Sequence, residues 1–306
     1  MENIKNGVWP TMITPFTDKD KIDYKGIEKL LEFYDEKGVA GVFAVCQSSE
    51  MFHLSREEKK ELIRFITRNV SKDMQVVTSG HTADTLEEQL RDAEEMMCEG
   101  VKAYVILPNR FAKAEESDDI LTERMGQFLE AFPGVPLGIY ECPHPYKRTL
   151  TPKVLEWCIS TGRFQFIKDT CCDLEQIEEK LKLTKAAGIK LFNANSATLL
   201  QSLKMGASGF SGVMANFHPE FYVWLCEHFE AEPVKAQLIQ QFIGCCSLAE
   251  YQHYPVNAKY SLSLRGVPIE TFSRVRDKAA FKASCRMEIE QLNELSLWAG
   301  KELLSF

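Results

Sequence analysis

Short apolar runs of β character alternate with longer amphipathic segments over the first two thirds of this chain. The runs cover residues 8–16, 41–46, 75–80, 103–107, 137–142, 164–169, 190–194 and 209–215. The intervening segments carry helical signals. Ile27, Leu30, Leu31 and Tyr34 recur at three- and four-residue intervals within 24–37, the spacing of one helix face. Ser55-Arg56-Glu57-Glu58 opens a second segment with a capping-box pattern. Segments 85–99 and 118–131 follow, and Thr151-Pro152 reads as a cap with proline in the first turn. Strands this apolar cannot turn one face to water. Eight of them in alternation with helices predict a closed (β/α)8 TIM barrel. The competing architecture, a doubly wound open sheet, begins with a glycine-rich first turn, and none follows residues 8–16.

Beyond Gly212 the pattern becomes helical, with helices expected over 218–230, 234–252 and 272–304. This divides the chain into a barrel over 1–230 and a C-terminal helical extension over 231–306, joined without a linker. At 306 residues, with 45% hydrophobic and 26% charged content, a core of that size is available.

Several function classes are set aside by charge and spacing. A formal charge of −8 leaves no basic stripe for phosphates, so no nucleic-acid partner is expected. No run approaches the roughly 18 apolar residues of a membrane span. The opening Met1-Glu2-Asn3-Ile4-Lys5-Asn6 lacks an apolar signal region. The ten cysteines include no CxxC pair, and several lie inside apolar runs. Packed, reduced thiols in a cytoplasmic protein are the expectation. The six histidines show no paired-ligand spacing, and no metal is expected.

The chemistry concentrates at Lys168, which ends the run Phe164-Gln165-Phe166-Ile167-Lys168-Asp169. A lysine delivered from a barrel interior is desolvated, which favours the neutral and nucleophilic amine. Such an amine suits Schiff-base formation with a ketone or aldehyde. The alternatives are a pair with Asp169 or a lysine that snorkels to the surface. Barrel enzymes place their chemistry at the C-terminal ends of the strands. Those ends carry Cys46 to Glu50, Tyr140, Lys168, Asn195 and Ser211-Gly212. Lys168 and Tyr140 come from consecutive strands, so amine and phenol can share one cavity.

These residues resemble the dihydrodipicolinate synthase and N-acetylneuraminate lyase family of pyruvate-type class I aldolases. Gly7-Val8-Trp9-Pro10-Thr11-Met12-Ile13-Thr14-Pro15-Phe16 is similar to its opening strand. Cys46-Gln47-Ser48-Ser49-Glu50 resembles its Gly-Thr-Thr-Gly-Glu motif, with the glutamate kept. Tyr140-Glu141-Cys142-Pro143 resembles its Tyr-Asn-x-Pro segment, and Ile167-Lys168-Asp169-Thr170 its Schiff-base strand. Ser211-Gly212-Val213-Met214-Ala215-Asn216 resembles its last strand.

The resemblance implies roles. Lys168 attacks the ketone of a 2-oxo acid, and Tyr140 moves protons. Backbone N–H groups around Ser48 and Ser49, with the Ser48 hydroxyl, hold the substrate carboxylate, and Gln47 and Gly212 line the same site. No cofactor is required, the partners are a 2-oxo acid and an aldehyde, and a homo-oligomer, tetramer or dimer, is expected. Phe221, Tyr222 and Trp224 can serve either core or interface.

Three departures bear on the substrate. The motif's proton-relaying threonine is Gln47, and an amide is a poor proton shuttle. The synthases' Pro-Tyr-Tyr segment is Pro108-Asn109-Arg110, without tyrosine. The position of their carboxylate-binding arginine is Pro145, and only a shift of three residues reaches Arg148. Arg110, Lys147 and Arg148, on loops at the expected mouth, are candidates for a second carboxylate or sugar hydroxyls, or a solvated charge cluster. A pyruvate aldolase acting on a 2-oxo-3-deoxy acid is the leading expectation. Dihydrodipicolinate synthase, a Schiff-base dehydratase of a sugar acid and a non-catalytic small-acid-binding barrel are the alternatives.

Overall fold

A computed structural model describes residues 3–304. Eight parallel strands form the barrel: β1 (Gly7–Val8), β2 (Gly41–Ala44), β3 (Gln75–Thr78), β4 (Val101–Ile106), β5 (Leu137–Tyr140), β6 (Phe164–Asp169), β7 (Lys190–Asn193) and β8 (Gly209–Phe210). Consecutive strands pair from β2 to β8, and β8 pairs with β1. The seam between β1 and β2 is closed by the Thr11–Phe43 bridge and by Phe43 N–H donating to Pro10 O at 3.0 Å. Gly209 permits the β8–β1 approach. Its φ is +150°, and an added Cβ would lie 1.9 Å from Gly7 O.

The helices between strands are α1 (Tyr24–Glu36), α2 (Arg56–Asn69), α3 (Leu86–Met96), α4 (Asp118–Ala131), α5 (Pro152–Thr161), α6 (Leu174–Thr184) and α7 (Leu199–Met205). Each of α1 to α6 has a Ser, Thr or Asp N-cap whose side chain accepts a backbone N–H of its first turn. At α2 the expected capping box is complete, with Ser55 and Glu58 bonded reciprocally. The chain continues through α8 (Pro219–His228), α9 (Pro233–Cys246), α10 (Val256–Leu264) and α11 (Ala283–Leu303).

Period-two alternation decides which side chains enter the barrel. On β6, Phe166 and Lys168 point inward, and Ile167 and Asp169 face the helices. Trp9, Phe43, Phe166 and Phe192 meet beneath Lys168 as an aromatic floor, with the Trp9–Phe192 and Phe166–Phe192 ring centroids 6.0 Å apart. Gly138 makes room for this floor, since a Cβ there would lie 2.2 Å from the Phe166 ring.

Three expectations need correction. Within 8–16 the barrel ladder holds only Val8, paired as part of Gly7–Val8, and an isolated bridge at Thr11, while Phe16 bridges antiparallel to Ile22, because Pro10 and Pro15 supply no N–H to a ladder. The run 209–215 pairs only over Gly209–Phe210 and then turns into a 3-10 segment, Val213–Asn216. The helix expected over 272–304 begins at Ala283. The preceding stretch holds only a 3-10 turn at Lys278–Ala280, and at the start of the stretch the Glu50 carboxylate captures the N–H groups of Arg274 and Val275, at 2.6 and 3.2 Å. Phe221, Tyr222 and Trp224 are buried within the chain and belong to its core.

Candidate active site

Tyr140 and Lys168 are register partners on β5 and β6. The Lys168 Nζ lies 3.8 Å from the Tyr140 ring centroid and 5.9 Å from that of Phe43. Lys168 is 4% exposed. Burial lowers its pKa to about 8, against a smaller upward pull from neighbouring acidic groups. It does not pair with Asp169, whose Oδ2 accepts from Lys180 on the outer face of the barrel at 2.5 Å. Burial raises the Tyr140 phenol well above its ordinary range, so it carries its proton at neutral pH. Its hydroxyl donates to Gln47 Oε1 at 3.3 Å.

Behind the strand ends, Lys180 bonds both Asp169 and Glu141, and all three are buried. The remaining oxygen of Glu141 accepts the Thr170 N–H at 3.0 Å. This triad locks the ends of β5 and β6 together, and so fixes where Tyr140 and Lys168 emerge.

The 3-10 turn Gln47–Ser49 forms the adjoining wall. Val45 has φ +37° and Glu50 has φ +62°, a conformation strained for a β-branched residue. The turn is over-determined: Ser49 Oγ donates to Met12 O at 2.7 Å and accepts from Cys46 N–H at 3.0 Å. Ser49 N–H is bonded to Cys46 O. Thus Ser49 spends both its hydroxyl and its amide inside the loop, while Ser48 and Gln47 line the cavity. Ser48 Oγ contacts Thr11 Oγ1 at 3.1 Å.

Glu50 is buried on Lys259 at 2.7 Å and receives the Ser273 hydroxyl at 3.0 Å. Arg274 then spans Asp20 and Glu58. These bonds strap the 272–276 segment over the barrel and bring Val275 and Arg276 to the rim. The cavity, open at its mouth, measures about 590 Å³, with Lys168, Tyr140, Gln47, Ser48, Gly212 and Glu250 among its walls. At Gly212 a Cβ would lie 2.4 Å from Ala194 O, so the wall admits no side chain there.

The sequence profile of the dihydrodipicolinate synthetase family matches residues 5–276. The chain belongs to that family. It is therefore an enzyme of the class I, Schiff-base lyase type. Among relatives of this dihydrodipicolinate synthetase family member is the 4-hydroxy-tetrahydrodipicolinate synthase of Methanocaldococcus jannaschii. It is 26% identical over 265 residues, covering 86% of this chain and 89% of that one. The Clostridium perfringens enzyme of the same name is 24% identical over 257 residues, covering 83% and 86%. A Ruminococcus gnavus sialic acid aldolase mutant superimposes with TM-score 0.87 at 18% identity, covering 99% of this chain and 100% of that one. A dihydrodipicolinate synthase crystal structure gives TM-score 0.83 at 24% identity, with 95% and 99% covered. These structural likenesses speak to the fold.

Two residues expected at the mouth of this family member are turned elsewhere. Arg148 donates to Lys113 O at 2.7 Å and to Asp118 Oδ1 at 2.9 Å. Arg110 binds Asp84 and lines a separate groove. Lys147 does line the cavity, tied to Thr170 O at 2.7 Å. Sequence reasoning missed Glu250 and Tyr254, both on the wall. Glu250 sits in a 3-10 turn, Ser247–Tyr251, that reads in sequence as the tail of α9. The Tyr254 phenol is raised by burial and bonds toward Ser48 and Thr11. Only the Tyr254-Pro255 dipeptide, a turn signal, marked that place.

Proposed function

We propose that this enzyme cleaves or forms a carbon–carbon bond between pyruvate and an aldehyde, acting on a 2-oxo-3-deoxy acid through an imine on Lys168. The observation that carries the reading is a buried amine of lowered pKa facing a protonated phenol across one strand pair.

With a pKa of about 8, roughly a tenth of Lys168 is neutral at pH 7, against about three in ten thousand for an ordinary lysine. The neutral amine adds to C2 of the 2-oxo acid. Tyr140 gives its proton to the carbinolamine hydroxyl, which leaves as water, and the iminium forms. The Tyr140 phenolate then takes the proton of the C4 hydroxyl. The C3–C4 bond breaks, its electron pair passes to the C2–C3 enamine and neutralises the nitrogen, and the aldehyde leaves. Protonation at C3 and hydrolysis release pyruvate and restore the amine. Ser48 and the turn around it hold the substrate carboxylate.

The aldolase reading is favoured over dihydrodipicolinate synthesis by what stands at two positions, Gln47 and Asn109. The Tyr140 hydroxyl meets the Gln47 amide rather than a hydroxyl relay. Asn109 stands where the synthases' tyrosine is expected. Its amide is spent on Cys142 O, His144 O and Tyr146 O, at 2.7, 3.0 and 2.7 Å. Assembly as a homo-oligomer belongs to the same proposal, and sedimentation velocity tests it. The activity is tested by measuring pyruvate released from a panel of 2-oxo-3-deoxy acids. Release by the parent protein and none by Lys168→Ala is expected. Condensation with aspartate semialdehyde alone would replace this reading with the synthase one.

A further inference from the structure

Glu250 is the one cavity carboxylate not engaged by protein donors among the described residues. Glu50, the other acid on the wall, is consumed by Lys259, Ser273 and two backbone amides. Glu250 is held in place by its own turn: Asn257 Nδ2 donates to Ala249 O at 2.7 Å, and Ser247 Oγ to Gly244 O at 2.7 Å. It stands on the same cavity as Lys168 but comes from the stretch between α9 and α10, not from a strand end. Burial raises its carboxyl to about 7, opposed by the Lys168 charge.

A carboxyl that titrates near pH 7 accepts hydrogen bonds when ionised and can also donate one when protonated, so in either form Glu250 can bond a ligand hydroxyl. Lys147 and Asn195 offer donors on the same wall. Lys147 spends one proton on Thr170 O, and Asn195 spends its Oδ1 on Thr198. A ligand chain of hydroxyls can donate to Glu250 and accept from Lys147 and Asn195 at once. Above its titration near pH 7, Glu250 meets a second carboxylate in the ligand as a like charge, against the pull of Lys147 and Arg276 on the same wall. An ammonium would meet Lys147 and Lys168.

We infer that Glu250 is the specificity-determining residue that selects a hydroxylated aldehyde-derived half of the substrate over an acidic one. This rests on the imine reading above and adds the substrate class to it. The test is borohydride trapping with two six-carbon probes, 2-oxo-3-deoxygluconate and 2-oxoadipate, and with pyruvate as control. The half-saturating concentration is read from protein mass, counting adducts of the whole acid or of its pyruvate fragment. The parent is expected to favour the hydroxylated acid by about tenfold or more, the discrimination a polar contact of this kind supports. In Glu250→Ala that preference collapses to within about threefold. In Glu250→Gln, which keeps the shape and an acceptor, the 2-oxoadipate value falls because the like charge is gone. Thermal midpoints of both variants report whether they fold, and Glu250→Gln decides alone if Glu250→Ala does not. A parent that traps pyruvate without preferring the hydroxylated acid overturns the inference and leaves the imine reading standing. So does a preference that survives in the variants. A parent that traps none of the three overturns the imine reading itself.

Discussion

Asp169 Oδ2 accepts from Lys180 Nζ at 2.5 Å on the outer face of β6, while the preceding residue, Lys168, points into the barrel. One strand end thus carries two lysine environments. Lys180, bonded to Asp169 and Glu141, is stabilised as the ammonium, and its pKa is raised to about 12. Lys168, above an aromatic floor, is lowered to about 8. Replacing Lys180 with Met strands two buried carboxylates. A loss of about 3 to 5 kcal/mol is expected, measured by urea denaturation at pH 7.

Lys168 costs the fold stability. Its folded pKa of about 8 lies below the unfolded value of 10.5, so the penalty is complete below pH 8 and disappears as pH rises towards 10.5. Lys168→Met should stabilise the protein on the order of 3 kcal/mol at pH 7. The gain should shrink to nothing near pH 10.5 while imine formation is abolished at every pH. Denaturation curves across that range check the sign.

The same titration governs rate. Because the neutral amine is the nucleophile, the rate of imine formation with pyruvate should climb with pH and level off above about 8. A stopped-flow profile with no inflection between pH 7 and 9 would contradict the assigned nucleophile.

Tyr140→Phe removes the proton carrier and keeps the ring beside Lys168. A fall in kcat of about 10² to 10⁴ is expected, with trapping by borohydride slower but still mapping to the lysine. An unchanged kcat would transfer the proton role to another cavity residue.

Glu50→Gln is expected to loosen the 272–276 strap, because the carboxylate gathers Lys259, Ser273, Arg274 N–H and Val275 N–H. Hydrogen exchange should show lost protection at Arg274 and Val275, together with a raised KM, since Val275 and Arg276 form part of the cavity rim. Protection equal to the parent would show that the strap holds without the charge.

Much of the barrel was legible because its signals are local. Strand apolarity, helix caps and the parity that sends Phe166 and Lys168 inward depend on a few neighbouring residues. The Tyr140–Lys168 relationship followed from the rule that consecutive strands are neighbours. The errors arose where long-range partners override local pattern. Arg148 lies close in sequence to the mouth, yet Asp118 and Lys113 O draw it outward. Residues 272–282 look helical by spacing, yet Glu50, more than 200 positions away, captures the amides of Arg274 and Val275. Glu250 reaches the cavity only because the turn after α9 folds back over the strand ends, which no local periodicity announces.

The central claim is that Lys168 forms the imine. The most direct test is intact mass after borohydride with and without pyruvate, followed by peptide mapping. The account predicts a gain of one reduced pyruvate adduct, located on Lys168 and missing from Lys168→Ala. An adduct on another lysine, or none with pyruvate or a panel of larger 2-oxo acids, would contradict it.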